Sequence, residues 1–341
     1  MLFGDPGEGA AVKVLITGGA GYIGSHSSKL LARAGYEPVV LDNLSRGHRE
    51  AVRYGALVEG DLANRNELDR VFREHCIEAV MHFAAFAYVG ESMEQPGLYF
   101  QNNVVNSLNL LEAMRAHGVR HMVFSSSCAT YGNPLQVPIP ESHEQRPVNP
   151  YGESKLFVER LLSWYGRIHG LCWVALRYFN AAGADPEGEL GEHHDPETHL
   201  IPRAIDAALG LIPQLDIYGT DYDTPDGTAV RDYLHVTDLG RAHVAALQYL
   251  LGGGSSCALN LGTGTGHSVR EVAAMVEQIS ARKVPVREAP RRAGDPACLV
   301  AEATRAGALL NWQPRHSTLQ ELVQTAWNWR RRSGNGNGPQ A

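Results

Sequence analysis

Residues 12–24 read VKVLITGGAGYIG, and the reading of this stretch decides the fold. VKVLIT is an apolar run rich in β-branched residues and predicts a buried strand ending near Thr17. YIGSHSSKLLARAG carries a helical pattern and predicts a helix opening at Tyr22. Between them stands Thr17-Gly18-Gly19-Ala20-Gly21-Tyr22-Ile23-Gly24, a glycine triplet spaced GxxGxxG. A triplet between a strand and a helix is the context of a dinucleotide fingerprint. In that reading Gly18 permits the tight turn, Gly21 lets the backbone approach a pyrophosphate, and Gly24 allows close helix–strand packing. The helix end then offers free N–H groups and partial positive charge to phosphates.

Working outward, the alternation continues through PVVLDN, LVEGDL, EAVMHFAA, LNLLEAMRAHG, HMVFSSS, a helix over 151–169 and CWVALRYFN. Continuous apolar strands separated by helices predict an α/β fold with a doubly wound parallel sheet. After Asn180 the texture changes to loops rich in Gly, Pro, Asp and His, over 181–199 and 219–230. The expected organisation is a loose extension over 1–11, a Rossmann domain over 12–180 and a smaller α/β substrate lobe over 181–332. Segments of that lobe at about 230–262 are expected to return to the main sheet, and 333–341 (SGNGNGPQA) reads as a disordered tail.

The formal charge of −7 argues against nucleic acid or an anionic membrane as the main partner. There is no signal-like basic-then-apolar start and no apolar run of roughly 20 residues to span a bilayer. The five cysteines are scattered without a CxxC pair, which indicates reduced thiols and a cytoplasmic protein.

Several residues carry chemistry. Asp42, at the end of the second strand and roughly 20 residues after the glycines, is placed to bond an adenosine ribose and would repel a further ribose phosphate, so NAD is favoured over NADP. Nearby Arg46 reads as solvated. Asp61 either borders the adenine or caps a helix. In Tyr151-Gly152-Glu153-Ser154-Lys155 the phenol and ammonium lie i, i+4 on one helical face. Lysine and an oxidised nicotinamide together would lower a phenol from its usual pKa near 10 and make it a usable base. Ser125-Ser126-Ser127 ends a strand at the edge where such sheets bind ligands; one hydroxyl could relay a proton, with Ser126 the structural member.

The glycine fingerprint, the serine run and YGESK resemble the extended short-chain dehydrogenase/reductase family, and within it the UDP-glucose 4-epimerases, including bacterial exopolysaccharide-type members. The likeness runs from about Val12 to Trp329 through GGAGYIGSH, LDNLSRGH, EGDL, HFAAFAYVGES, SSSCATYG, NPYGESK, LRYFNAAGADPEG, GTDYDTPDGTAVRDYLHV, LNLGTG and RRAGD. It implies a tightly held NAD regenerated at each turnover, and inversion of carbon 4 of a UDP-hexose through a 4-keto sugar. By position, Tyr151 matches the family's base, Lys155 its partner and Ser127 the hydroxyl on the sugar O4. Implied cofactor contacts are Gly18, Gly21, Tyr22, Ile23, Gly24, Asp42, Asn43, Leu44, Ser45, Asp61 and Leu62. Phe83, Ala84, Ala85, Asn103, Ser125, Tyr178 and Phe179 complete that set with Tyr151 and Lys155. Implied substrate contacts are Ser127, Asn180, His199, Leu200, Tyr218, Arg231, Arg292, Asp295 and Leu299, with Arg231 and Arg292 clamping the diphosphate. Two departures stand out: Ala87 occupies a place where some members carry lysine, and Leu299 the sugar-pocket position that is tyrosine in narrow members and cysteine in those accepting N-acetyl sugars.

Sugar-nucleotide 4,6-dehydratases are disfavoured, because Cys128 and Ala129 stand where their Asp-Glu pair would. UDP-pentose 4-epimerases and UDP-N-acetylhexosamine epimerases are closer alternatives, and a non-catalytic dinucleotide sensor is a distant one, since the Tyr/Lys pair is intact. His193, His194, Asp195 and His199 tempt a zinc reading, but their spacing fits no standard structural pattern, and no metal is expected. Trp312, Trp327 and Trp329 read as packing residues. By resemblance the chain forms a homodimer through helices at 98–116 and 151–169.

Overall fold

The computed structural model describes residues 11–292 and 294–334, Ser333 and Gly334 by backbone alone. The extension expected over 1–11 lies outside them except for Ala11. So does the tail expected over 333–341, except that residues 333–334 continue the last helix.

Six strands come first: β1 (Lys13–Thr17), β2 (Glu37–Asp42), β3 (Ala56–Glu59), β4 (Ala79–His82), β5 (His121–Ser125) and β6 (Cys172–Tyr178). Seven follow: β7 (Asn180–Ala182), β8 (Leu215–Tyr218), β9 (Val230–His235), β10 (Cys257–Leu261), β11 (Gly266–Ser268), β12 (Val286–Ala289) and β13 (Cys298–Leu299). The main sheet is parallel, in the order β10-β6-β5-β4-β1-β2-β3. Chain order reverses on either side of β1, and the carboxyl ends of β1 and β4 therefore open a crevice at that switch point.

Both faces of the sheet are covered, which is why its strands read as continuous apolar runs. Val14 and Ile16 of β1 point into one core with Leu239 and Leu247, while Leu15 points into the other with Leu68, Leu110 and Val158. The helices responsible are α1 (Tyr22–Arg33), α2 (Arg65–His75), α3 (Val89–Glu94), α4 (Pro96–Tyr99), α5 (Asn106–Ala116), α6 (Pro150–His169), α7 (Leu200–Leu209) and α8 (Val236–Leu251). Helices α1 and α8 cover the first face; α2, α5 and α6 cover the second. A π-helical segment, Phe100–Val105, joins α4 to α5; the spacing over 98–116 carried no sign of it. The cap of α2 is Asn64, whose side chain accepts from Asn66 and Glu67 N–H, and not Asp61.

The remaining helices are α9 (Val269–Ser280), α10 (Thr304–Leu310) and α11 (Leu319–Gly334). A third core packs α7, α9 and α11 through Ile205, Val276, Leu322 and Trp327. Strand β9 is the hub beside it: Tyr233 to His235 pair with β7, Val230 to Asp232 with β11, and Val230 and Arg231 with β13. Strands β8 and β12 pair separately.

Two glycines of the first loop are dictated by packing. Gly18 sits at φ +73°, and a Cβ there would lie 2.5 Å from Ala84 N. A Cβ on Gly24 would lie 2.3 Å from the Gly18 carbonyl oxygen. No helix among the described residues is long and apolar enough to cross a membrane.

Candidate active site

Helix α6 starts sharply because Asn149 accepts from Gly152 N–H at 2.8 Å and Pro150 occupies its first turn. That start carries Tyr151 to the carboxyl edge of β5. The buried phenol lies beside the Ser127 hydroxyl, whose oxygen accepts from Ala129 N–H at 3.1 Å. Lys155, one turn on, points the same way: its Nζ lies 5.9 Å from the Tyr151 ring centre and 5.0 Å from that of Phe124. It donates to the Ser125 carbonyl at 2.8 Å. The Ser125 hydroxyl and the Tyr178 phenol lie 2.9 Å apart. Thus Tyr151, Lys155, Ser127, Ser125 and Tyr178 converge.

Ser126 points the other way and donates to Glu159 at 2.6 Å. Glu159 forms a buried two-point ion pair with Arg177, at 2.9 and 2.6 Å, and Arg177 donates to Tyr131, which donates to Asn260. This network ties β5, β6, α6 and β10 together directly beneath the serine run.

Burial holds the Tyr151 phenol well above its ordinary value; Tyr178 adds to this, and the bond from Ser127 opposes it. Burial lowers Lys155 to about 7, with Glu159 opposing. Lys155 is expected to act on the phenol together with an oxidised nicotinamide; within the protein itself its ammonium is directed at the Ser125 carbonyl.

The crevice at the start of α1 fits a dinucleotide. The N-terminus of α1 has no side-chain cap and no acid in its first turn. A Cβ on Gly21 would meet only the Gly18 carbonyl, at 3.3 Å, so that backbone faces away from the protein. Asp42 is buried and accepts from Ala20 and Leu44 N–H, both at 2.9 Å, and burial raises its carboxyl. Asn43 donates to Asp61 at 2.7 Å and accepts from Ser45 N–H, and Leu62 is buried beside them. Phe83 and Ala84 N–H both donate to the Thr17 carbonyl, which seats the 83–85 segment under Gly18. The half-buried Ile23 and Ala85 lie on the same loops.

Three side chains at this end have partners within the protein. The Tyr22 phenol donates to the Gly183 carbonyl at 2.6 Å, so its hydroxyl already has a partner in the protein. Asn103, on the π-helical segment, commits its amide to Phe86 N–H, the Phe86 carbonyl and Ser154, and acts by positioning the 86 loop against α6. Arg46 is exposed, as expected, and also pairs with Glu91 at 2.7 Å and lies over the Phe86 and Tyr88 rings, on either side of Ala87.

On the opposite wall, β9 and β13 set Arg231 beside Leu299, and β7 brings in Asn180. Leu299 packs against the cluster of Phe179, Cys128 and Tyr131. Arg231 is ion-paired with Asp295, and Arg292 lies over the Tyr218 ring at 3.9 Å. The two arginines therefore sit on separate supports. His199 and Leu200 open α7, but His199 Nδ1 bonds Glu192, which leaves its other ring nitrogen for any nucleotide contact. Of the histidine loop, His193 stacks on His48, away from His194 and His199.

This geometry can be set against known proteins. The profile described as the NAD dependent epimerase/dehydratase family matches residues 14–262. The chain belongs to this family. A UDP-glucose 4-epimerase of Rhizobium meliloti is 52% identical over 95% of this chain and 98% of its own. The crystal structure of a UDP-glucose 4-epimerase from Brucella ovis in complex with NAD superposes with a TM-score of 0.91 at 52% identity, covering 93% and 98% of the two chains. One from Stenotrophomonas maltophila, with bound NAD and formylated UDP-arabinopyranose, gives 0.92 at 40%, covering 95% and 99%.

Some residues that shape the site were not singled out in the sequence. Asp232 is fully buried in β9 and accepts from Thr263, Gly264 and Ala301 N–H, holding the loops beside Leu299. An acid inside the apolar run VRDYLHV was the available signal. Glu159 and Arg177 had none, because neither shares a local pattern with the serines they hold.

Proposed function

We propose that this chain is a UDP-glucose 4-epimerase, inverting carbon 4 of a UDP-hexose reversibly through a 4-keto sugar. The observation that carries the reading is the convergence of the buried Tyr151, Ser127 and Lys155 at the carboxyl edge of a dinucleotide-binding sheet. A bound NAD supplies the hydride acceptor and donor at carbon 4, and its oxidised ring the positive charge that the phenolate needs. Gly21 and the N-terminal N–H groups of α1 would hold its pyrophosphate, and Asp42 its adenosine ribose. Tyr151 takes the proton of the 4-hydroxyl and returns it, with Ser127 holding the sugar oxygen in line. Lys155 keeps a cation close to the phenol and ties it to β5. Arg231, Arg292 and Asn180 hold the UDP end, and the sugar is free to present either face. Cys128 and Ala129 follow Ser127, so no acid stands ready to expel a 6-hydroxyl.

Finer assignments belong to the same reading. The division after Asn180 separates the cofactor part from a substrate lobe. The chain pairs with a second copy: Val105, Phe157, Trp164 and Ile168 are exposed apolar residues on the faces of the π-helical segment and α6. Five cysteines without a disulfide suit the cytoplasm. The test is to incubate purified protein with UDP-galactose and no added nucleotide. UDP-glucose is the expected product; its failure to form even with NAD supplied would overturn the assignment. Parallel assays with UDP-N-acetylgalactosamine and UDP-xylose define the sugar range that Leu299 sets.

A further inference from the structure

The loop from Gly183 to His199 gathers titratable groups that take no part in the proton or hydride transfers. Glu192, His194, Glu197 and His199 each offer one ligand atom, and these atoms all lie within 4.8 Å of one another. The carboxylates of Glu192 and Glu197 are almost fully buried, at 6% and 9% exposure. Among the described residues their ion pairs run only to the two imidazoles. His194 Nδ1 is buried 3.1 Å from Glu192 Oε1 and 3.7 Å from Glu197 Oε2, yet makes no aligned hydrogen bond. His199 Nδ1 stands 3.7 Å from the other Glu197 oxygen and is bonded to Glu192. Two neighbouring acid clusters differ in kind. Asp185, Glu187 and Glu189 already enclose the ammonium of Lys29, at 2.8 to 3.0 Å. His48, Glu50 and His193 lie open to solvent.

We infer that Glu192, His194, Glu197 and His199 form a binding site for a divalent transition-metal ion of the zinc class. Zinc takes imidazole nitrogen and carboxylate oxygen at roughly 2.0–2.2 Å, and tetrahedral ligands at that radius stand about 3.3–3.5 Å apart. From His194 Nδ1, the spacings of 3.1 Å to Glu192 and 3.7 Å to one Glu197 oxygen fall on either side of this value, and all four ligand atoms lie within 4.8 Å of one another. Two neutral imidazoles and two carboxylates balance a divalent charge, so the ion replaces protons that the four groups otherwise share. The nitrogen donors favour zinc over magnesium or calcium. Such an ion acts on structure. The His194 ring lies edge-on to Tyr22, at the start of α1, and to Tyr88, and Trp329 of α11 donates to the Glu192 carbonyl at 3.1 Å. It therefore pins the loop between the dinucleotide crevice and the third core, whichever sugar the enzyme turns over.

The test uses untagged full-length protein exposed to zinc and then dialysed. Elemental analysis should find one zinc per chain, and cobalt substitution should give the visible absorption of a tetrahedral N/O site. Chelator should lower the melting temperature, and zinc should restore it. H199Q and E197Q should each weaken retention by at least about 100-fold, whereas H193Q, whose ring lies outside the four, should retain the ion. Circular dichroism confirms that each variant is folded. No retained zinc in the parent protein, or undiminished retention in both H199Q and E197Q, overturns the site. Neither result bears on the epimerase assignment, which is read from UDP-sugar turnover.

Discussion

Tyr151 sits in buried surroundings that raise its proton affinity, so a positive charge beside it favours the phenolate that a base requires. Tyr151→Phe keeps the ring and removes only the hydroxyl. Turnover of UDP-galactose should fall roughly 100- to 10,000-fold, the usual range for removing a general base, while the bound-nucleotide absorbance stays as in the parent. An unchanged rate would take Tyr151 out of the chemistry. Leu299 acts by bulk: it packs on Phe179 and Tyr131 and lies beside Arg231 in the β9–β13 register. Leu299→Tyr should lower kcat/KM for UDP-N-acetylgalactosamine more than for UDP-galactose, and Leu299→Cys should shift the ratio the other way. Equal ratios in both variants would place the sugar wall elsewhere.

At the scale of elements, the strand–loop–helix unit from β1 to α1 depends on backbone contacts that no side chain tolerates. In Gly24→Ala the new Cβ would lie 2.3 Å from a carbonyl oxygen of the loop itself. Bound NAD should be lost and the melting temperature reduced, as read by nucleotide absorbance and thermal denaturation. Gly307→Ala, in the middle of α10, meets only the Trp312 carbonyl at 3.5 Å. It should leave cofactor content intact and stabilise by up to about 1 kcal/mol through helix propensity. Helix α6 joins the two aspects of the molecule. Its first two turns present Tyr151 and Lys155 inward, and Phe157, Trp164 and Ile168 are exposed along it. Ile168→Glu should convert the expected dimer to monomer in light scattering; a monomeric parent protein would remove that interface.

For the whole molecule, buried neutral histidines set the response to acid. Burial lowers His26 and His243 to about 4 and His82 to about 3, from an ordinary value near 6.5. As pH falls below about 6.5 the unfolded chain takes up protons there, and the folded chain does not until near pH 4. Stability is therefore lost with falling pH through that window, by up to about 1.4 kcal/mol per pH unit for each histidine. His82 bridges Thr17 and Ser107, at 2.6 and 2.7 Å. His82→Gln should flatten the decline in unfolding free energy between pH 6.5 and 5; an unaltered slope would show that His82 is not one of the titrating groups. Lys155, lowered by burial to about 7, acts above that pH and does not enter this window.

The parallel sheet, the glycine loop and the Tyr151–Lys155 pair were legible because each is local: a periodicity, a turn chemistry, or two residues one helical turn apart. The turn of Tyr22 toward Gly183 spans 161 positions and the Arg177–Glu159 pair 18, while Arg46 finds Glu91 across 45, and no short pattern encodes such meetings. The electrostatics lay further still from view. The phenol is expected to be acidified by its lysine together with an oxidised nicotinamide; the packed chain adds burial, which acts on both groups in the direction that opposes charge. The histidine loop shows the same division. Its residue types were plain in the linear order, yet bringing Glu192 and Glu197 to His194 and His199, and turning His193 toward His48, depended on how distant elements close around it.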